Sequence, residues 1–230
     1  RITGNTVKGA TGEGIYIENI GTSRSNTVSN NTVSDMRVDV DTNLEAGIFV
    51  RNNQDGYIAI TGNTVKDNNQ ESGVGAPESR GLSGQNASDG IELNICRGGE
   101  NLGDDAFTDE VAGPCSSSAT LTAVVNNNVV TNLQGSADGI DTNVGDNGTL
   151  NLTVKGNTVT GAGDEGFTLD VFGANTAVTA TISENIFKTS GAKGARTDAD
   201  GNYDEDGSTD GIAITLQEKV SETDFTASGV

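Results

Sequence analysis

Short runs of alternating apolar and polar residues recur along the chain, separated by glycine, asparagine or aspartate. Around Asn157 the runs cover residues 150–154, 158–159 and 167–169. Leu150, Leu152 and Val154 alternate with polar residues, so every second side chain is predicted to face inwards. No run follows the 3.6-residue period of an amphipathic helix. The pattern therefore predicts three short strands in each repeat.

Two motifs mark the repeat. The first is Asn-Thr-Val or a close variant, and it begins at residues 5, 31, 63, 128, 157 and 185. The second is an acidic or small residue followed by glycine and a short apolar strand, beginning at residues 13, 46, 89, 138, 165 and 210. The tightest spacings, from Asn128 to Asn157 and on to Asn185, are 29 and 28 residues. A period in the twenties with strand-forming residues predicts a β-solenoid.

The asparagine of each Asn-Thr-Val unit is predicted to lie at a bend, because asparagine tolerates left-handed backbone angles. When rungs stack, its amide can also bond to the asparagines above and below. The sequence thus predicts a structural ladder formed by Asn5, Asn31, Asn63, Asn128, Asn157 and Asn185.

Tandem units of this kind resemble the right-handed parallel β-helix superfamily that includes the pectate lyases. The resemblance extends from Ile2 to about Leu216. It implies an all-β, right-handed parallel β-helix, but not an activity, because the same scaffold supports lyases, hydrolases, epimerases, adhesins and viral spikes.

Four segments interrupt the period of this single predicted domain, which covers residues 1–230. They are predicted insertions at about 35–45, 67–88, 97–118 and 189–209. Three of them separate an Asn-Thr-Val unit from the following Gly-Ile strand, so they are expected to emerge from one edge of the solenoid. Loops grouped on one side of a rigid stack are a usual place for function.

Composition narrows the choice of function. The chain has 230 residues, a net charge of −20, no histidine and no tryptophan. The charge argues against a nucleic-acid or anionic-membrane partner, and no apolar run is long enough to insert in a membrane. Lack of histidine excludes Ser-His-Asp and Cys-His catalysis. The few aromatic side chains, such as Phe49 and Phe167, are predicted to face the core.

The chain begins without methionine or a signal-peptide pattern, which favours a mature or excised segment. Cys96 and Cys115 form an even pair in a polar stretch without a second pair of metal ligands. A disulfide in a secreted or cell-surface protein is the favoured interpretation, and two free thiols are the alternative.

The most acidic insertion places oxygen-bearing side chains at alternate positions, followed by Gly207. This spacing resembles the calcium loops of thrombospondin type 3 repeats and, more loosely, those of EF-hands and dockerins. Calcium prefers hard oxygen ligands, so the resemblance implies Ca²⁺ here, with a solvated acidic loop as the alternative. The predicted ligands are Asp198, Asp200, Asn202, Asp204, Asp206 and Asp210.

Two weaker acidic patterns are also present. Asp39, Asp41 and Asn43 alternate in the same way and form a second candidate cation site. Carboxylates also precede the glycine of successive strands, which would bring them almost into register. They could share a cation or a proton, or each could cap a local backbone N–H. This column consists of Glu13, Asp89, Asp138, Glu165 and Asp210.

Candidates for catalysis are few. The lyases of the superfamily combine acidic calcium ligands with a lysine or arginine base, and Arg51 is the one strand-borne base after a Gly-Ile unit. The lysines that follow Asn-Thr-Val units also suit a solubilising role. The acids on predicted strand faces are Glu18, Glu92, Asp141 and Asp170, and these lysines are Lys8, Lys66 and Lys188.

The sequence therefore favours a calcium-binding structural or adhesive β-solenoid, secreted or on a cell surface, over an enzyme. Its expected partners are a second copy stacked end to end or a surface polysaccharide. The alternative is a calcium-dependent lyase acting on an acidic polysaccharide.

Overall fold

Three parallel β-sheets run the length of the molecule. The computed structural model describes residues 1–10, 13–36, 46–67, 89–96, 115, 117–133, 137–145, 147–163, 165–173, 175–189, 211–216 and 222–228. These residues contain nineteen strands and no helix. All strand pairs are parallel, and consecutive strands belong to different sheets. The architecture confirms the predicted parallel β-helix.

Each turn of the coil, or rung, contributes one strand to each sheet. The first sheet contains β1 (Ile2–Thr3), β4 (Thr27–Ser29), β7 (Gly56–Thr61), β10 (Ala119–Asn126), β13 (Gly148–Lys155), β16 (Ala177–Ser183) and β19 (Glu222–Ser228). The second contains β2 (Thr6–Lys8), β5 (Thr32–Ser34), β8 (Thr64–Lys66), β11 (Val129–Thr131), β14 (Thr158–Ala162) and β17 (Ile186–Thr189). The third contains β3 (Ile15–Glu18), β6 (Ala46–Asn52), β9 (Asp89–Ile95), β12 (Ile140–Val144), β15 (Phe167–Val171) and β18 (Ile212–Leu216).

The core consists of columns of apolar side chains that repeat from rung to rung. In the second sheet, the last residue of each Asn-Thr-Val unit forms the column Val7, Val33, Val65, Val130, Val159 and Phe187. In the third sheet, the residue after each motif glycine forms the column Ile15, Ile48, Ile91, Ile140, Phe167 and Ile212. Full burial of such a side chain stabilises the fold by about 1.5–3 kcal/mol. Both sequence motifs therefore supply core residues, and the inward orientation of Phe167 is confirmed.

The two motifs also explain each other through close packing. A Cβ atom added to Gly139 would lie 2.3 Å from Cγ1 of Val159 and 2.6 Å from the carbonyl oxygen of Gly166. Gly90 is in the same position against Val130, where the distance to Cγ1 would be 2.5 Å. Glycine is needed because the core valine of the next rung occupies the space of a side chain.

The six predicted asparagines form a continuous ladder. The side-chain oxygen of Asn128 accepts the backbone N–H and the amide N–H of Asn63 at 2.9 and 3.0 Å. Its own amide nitrogen donates to Asn157 Oδ1 at 3.0 Å and to the carbonyl of Ile60 at 2.9 Å. The same donation to the next rung recurs from Asn5 through Asn31 and from Asn157 to Asn185. The ladder is therefore polar along the solenoid axis.

The left-handed backbone conformation lies one residue earlier than predicted. The ladder asparagines themselves have ordinary φ angles, and the residue before each has a positive one. The ladder side chain must point along the axis while its N–H bonds to the next asparagine, so the turn falls to its predecessor. The left-handed residues are Gly4, Asn30, Gly62, Asn127, Gly156 and Glu184.

Most residues of the predicted insertions lie outside the described residues, and the strands on either side define their points of attachment. Segments 37–45, 68–88 and 190–210 each connect the second sheet to the third. Segment 97–114 follows β9 and precedes β10, so it connects the third sheet to the first. The third sheet is thus adjacent to all four connections.

Candidate functional site

The outward side of the third sheet carries the four strand-borne acids that the sequence nominated for catalysis, Glu18, Glu92, Asp141 and Asp170. Register pairing places Tyr16, Phe49, Glu92, Asp141 and Thr168 in one column across five rungs. A parallel column two residues further along contains Glu18, Arg51, Asn94, Asn143 and Asp170. We call these ten residues the third-sheet polar face.

Aromatic residues form one end of this face. Phe49 points outwards, because Ile48 and Val50 on either side of it fill the core, so the inward prediction for Phe49 is wrong. Its ring stacks on that of Tyr16 with centroids 5.5 Å apart. Tyr16 is 41% exposed, whereas Phe49 is buried.

Two carboxylate–amide pairs occupy the centre of the face. Asn94 Nδ2 donates to Glu92 Oε1 at 2.8 Å, and Asn143 Nδ2 donates to Asp141 Oδ2 in the next rung. Glu92 is only 2% exposed and Asn94 only 6%, while Asp141 is half-buried. The arrangement fixes both carboxylates side by side, with each amide turned towards the acid two residues before it.

Arg51 is the single strand-borne base of this face. It precedes Asn94 in the column and is half-buried. Its Nε and the Oδ1 of Asn94 are both buried without a hydrogen-bonding partner. Glu18 lies in the first rung of the same column, where Arg51 separates it from the central pairs. Asp170 lies in the fifth rung, next to Asn143.

Two members of the carboxylate column before the motif glycines, Asp89 and Asp138, cap backbone N–H groups. Asp89 Oδ1 accepts the N–H of Asp138 at 2.7 Å, and Asp138 Oδ1 accepts the N–H of Glu165 at 2.9 Å. Asp138 Oδ2 also accepts the hydroxyl of Thr168 at 2.8 Å. Asp89 and Asp138 therefore follow the capping alternative, although the N–H that each accepts belongs to the next rung and is not a local one.

Burial, followed by the negative charges of Asp138, Asp141 and Glu92, raises the pKa of Asp89 well above its usual value. The hydrogen bond from the Asp138 N–H opposes this increase. The acids of the capping column and those of the polar face therefore form one electrostatic unit.

The lysines considered for catalysis lie elsewhere. Lys8, Lys66 and Lys188 belong to the second sheet. Lys8 forms an ion pair with Asp35 at 3.2 Å, and its hydrogen bond lowers the pKa of that carboxyl. These positions fit the solubilising alternative.

The two cysteines form a disulfide at one border of the third sheet. Cys96 follows β9, Cys115 precedes β10, and both residues are buried. The Cα atoms are 4.8 Å apart. The bridge encloses the connection of residues 97–114, as the disulfide interpretation predicted.

The predicted calcium ligands lie outside the described residues, and their coordination stays a prediction. This applies to Asp198, Asp200, Asn202, Asp204, Asp206, Asp210, Asp39, Asp41 and Asn43. Within the part of the chain that is described, no three Asp, Glu or Cys side chains form a group suited to a metal ion. The described ranges also include no helix long and apolar enough to traverse a bilayer.

Two contributors to the polar face escaped the sequence interpretation. Asn94 and Asn143 each follow an acid by two residues, in Glu92-Leu-Asn94 and Asp141-Thr-Asn143. Residues two apart on a strand share a face, so this repeated acid-x-Asn spacing was the available signal.

Comparison with protein-family models, curated proteins and solved structures finds no match to the chain.

Proposed function

We propose that this protein is a calcium-binding structural or adhesive β-solenoid, secreted or on a cell surface, that joins end to end with another solenoid. The observation that carries the proposal is the exposure of core positions in the sixth rung. Ile214 and Leu216 occupy the inward columns of Leu169 and Val171, yet they are 41% and 52% exposed. Apolar side chains in this position favour a further layer of strands above them.

The polarity of the asparagine ladder supports stacking in one sense. Each rung donates amide hydrogens to the oxygen of the next, from Asn5 towards Asn185. An incoming solenoid in the same orientation could therefore continue both the ladder and the strand pairing. A second copy of this chain is the simplest partner with that pattern.

Calcium belongs to the proposal because of the charge distribution. The net charge is −20, and the spacing from Asp198 to Asp210 resembles known calcium loops. Divalent ions would reduce the repulsion between acidic segments of neighbouring copies. The buried disulfide supports an oxidising location. Membership of the pectate-lyase-like superfamily is also proposed, on the repeated Asn-Thr-Val and Gly-Ile motifs and on the three-sheet architecture.

Sedimentation velocity over a range of protein concentrations, with calcium or with a chelator, tests the assembly. We expect larger particles with calcium, and loss of these particles in Leu216→Asp. Ile186→Asp is the matched control, because Ile186 is 50% exposed but points outwards, in register with Thr158. A monomer under every condition, or equal loss in both variants, would contradict stacking through the core columns.

Calcium titration by calorimetry tests the ion separately. We expect binding that falls in Asp204→Asn with Asp206→Asn, and falls less in Asp39→Asn with Asp41→Asn. At a free calcium concentration of 100 times the Kd, binding to the native state stabilises it by about 2.7 kcal/mol. Absence of both heat and stabilisation would overturn the calcium part of the proposal.

A second candidate function is calcium-dependent polysaccharide lyase activity. The observation in its favour is that Arg51 shares a sheet face with Glu92 in the next rung and Asp141 in the rung after it, and is in register with Asn94. Incubation with uronate polymers and calcium, followed by ultraviolet absorbance of the unsaturated product, tests it. Turnover that is lost in Arg51→Ala and kept in Arg24→Ala would support the lyase, and no turnover in the wild type would exclude these substrates.

A further inference from the structure

The first sheet has one strand more than either of the other sheets. Its last strand, β19, pairs with β16 over seven residues, from Ala177 opposite Glu222 to Ser183 opposite Ser228. Among the residues that the structure describes, β19 is the only strand of a seventh rung. The end of the solenoid is therefore occupied on the first sheet, whereas Ile214 on the third sheet is exposed there.

The strand register shows which place β19 holds. Two neighbouring columns of the first sheet begin in β1 and end in β19. The first column consists of Ile2, Val28, Ile60, Val125, Val154, Ile182 and Ala227. The second column consists of Thr3, Ser29, Thr61, Asn126, Lys155, Ser183 and Ser228. In the first six rungs, the ladder asparagine follows the second column by two residues.

Continuation of the ladder brings β1 of an incoming copy to the same place. When Asn5 of the incoming copy accepts the hydrogen bonds of Asn185, its β1 lies opposite residues 182–183. In a single copy, residues 227–228 hold these positions. One edge of a strand pairs with one neighbour at a time, so the two segments exclude each other.

The backbone hydrogen bonds identify the group for which the two segments compete. In each of the first five rungs, the left-handed residue before the ladder asparagine donates its N–H to the second column of the next rung, at 2.9–3.1 Å. The donor and acceptor pairs are Gly4 and Ser29, Asn30 and Thr61, Gly62 and Asn126, Asn127 and Lys155, and Gly156 and Ser183. Glu184 is the next donor in this series. Its acceptor position belongs to Ser228 in a single copy and to Thr3 of an incoming copy in a stack.

We propose that the end of β19 and the β1 of a second copy compete for the edge of β16, so that stacking displaces residues 227–228. This competition rests on the end-to-end stacking proposed above, and it adds the register and a step that controls assembly. Residues 222–225 stay on β16, because β1 spans only Ile2–Thr3. The two copies then share one rung, which begins with β19 of the first copy and ends with β1 of the second.

The exchange favours the stack once a second copy is present. The stack loses the pairing of two residues at the end of β19, and strand ends open more easily than strand centres. It gains the pairing of β1, β2 and β3, which contain two, three and four residues, and it covers the exposed Ile214 and Leu216. In a single copy, β19 shields the edge of β16 from unspecific pairing. β19 therefore delays stacking without preventing it.

Disulfide trapping between two variants tests the register. Side chains of the second column meet between rungs, since Ser29 Oγ lies 3.1 Å from Thr3 Oγ1. We expect a mixture of Thr3→Cys and Ser183→Cys to form a covalent dimer under mild oxidation with calcium. Thr179→Cys is the matched control for Ser183→Cys, because Thr179 lies on the same strand but in register with Asp224, outside the contested place. Its mixture with Thr3→Cys should lose the dimer.

Ser228→Pro tests whether β19 delays assembly. The carbonyl groups of the second column point to the preceding rung, and the N–H and C=O of one strand residue point to the same side. Proline at 228 therefore removes a donor to β16, whereas proline at 227 removes one that points away from it. In sedimentation velocity with calcium, we expect Ser228→Pro to assemble at a protein concentration about two- to ten-fold lower than the wild type, the effect of one hydrogen bond. Ala227→Pro is the matched control and should assemble like the wild type.

The possible failures of stacking and of competition are distinguishable. A covalent dimer of Thr3→Cys with Ser228→Cys, and none with Ser183→Cys, would overturn the competition, because it would place β1 beyond β19. Equal assembly of the wild type, Ser228→Pro and Ala227→Pro would overturn it as well, while the stacking itself would stand. Monomers in the wild type and in both proline variants would contradict the stacking and, with it, the shared rung.

Discussion

The asparagine ladder gives a direct estimate of what one side chain contributes to the fold. Replacing Asn128 with alanine removes the acceptor of two donors on Asn63, its backbone N–H and one amide hydrogen. Asn63 is fully buried, so water does not replace the lost acceptor. Each buried unsatisfied donor costs about 1–3 kcal/mol. We therefore expect Asn128→Ala to lower the free energy of unfolding by about 2–6 kcal/mol.

The partner on the other side is affected less. Asn157 Oδ1 still accepts the backbone N–H of Asn128 at 2.9 Å, which the substitution does not remove. The carbonyl of Ile60 loses one amide donor. The estimate consequently rests on Asn63, and the loss of hydrogen bonds falls mainly on the rung that precedes Asn128.

Asn128→Asp tests the donor–acceptor direction of the ladder, because it removes the amide donor and keeps nearly the same side-chain volume. The aspartate keeps an oxygen for Asn63, but its second oxygen faces two acceptors, Ile60 O and Asn157 Oδ1. We expect this variant to be less stable than Asn128→Ala at neutral pH. Acidification should recover part of the difference, since a protonated carboxyl can donate once.

Urea unfolding, followed by far-ultraviolet circular dichroism at fixed calcium concentration, measures these differences. Asn151→Ala is the control, because Asn151 is exposed on the fifth rung and its loss should change stability by at most about 0.5 kcal/mol. The slope of free energy against urea should stay the same in all variants. A change below about 1 kcal/mol for Asn128→Ala would refute the reasoning from buried donors.

Three further substitutions test other features of the fold. Gly139→Ala should destabilise by about 1–3 kcal/mol, because its Cβ would overlap a core valine, whereas Gly21→Ala meets nothing within 4 Å and should melt near the wild-type temperature. Replacing Cys96 and Cys115 together with serine should lower the free energy of unfolding by about 3 kcal/mol. A reducing agent should lower the melting temperature of the wild type and leave that of the variant unchanged. An unchanged wild-type melting temperature under reduction would show that the bridge does not stabilise the fold. Asp89 has a raised pKa in the folded state, so folding binds a proton and its contribution to stability falls as pH rises from the usual carboxyl pKa through the raised one. Asp89→Asn keeps an acceptor oxygen without a charge, so it should be more stable than the wild type at neutral pH and should not lose stability as the pH rises. Identical curves of stability against pH for the two proteins would contradict the raised pKa of Asp89.

Much of the fold followed from local sequence because the same residue types recur where the same packing recurs. The runs predicted around Asn157 correspond to β13, β14 and β15. Asparagine in the ladder and glycine before the third-sheet strands each satisfy a requirement that is identical in every rung. A repeated physical constraint leaves a repeated sequence signal.

Features that depend on a single rung were harder to predict. Phe49 has the large apolar side chain of a typical core residue, but its register with Tyr16 and Glu92 places it on the outward side of the third sheet. The left-handed residue before the ladder can be glycine, asparagine or even Glu184, so no residue type identifies it. The polar face combines five strands from distant parts of the chain, and only the strand register shows which of their residues are neighbours.

The ladder has a consequence for how chain length varies within this architecture. Consecutive ladder asparagines bond to each other across 26, 32, 65, 29 and 28 residues, yet their hydrogen bonds have nearly equal lengths. Pitch is therefore independent of how much chain intervenes between rungs. Insertions and deletions can accumulate in the connections beside the third sheet while neighbouring rungs keep their contacts. The stacked amides therefore set a constant distance between rungs, and the connecting segments can be exchanged without changing that distance.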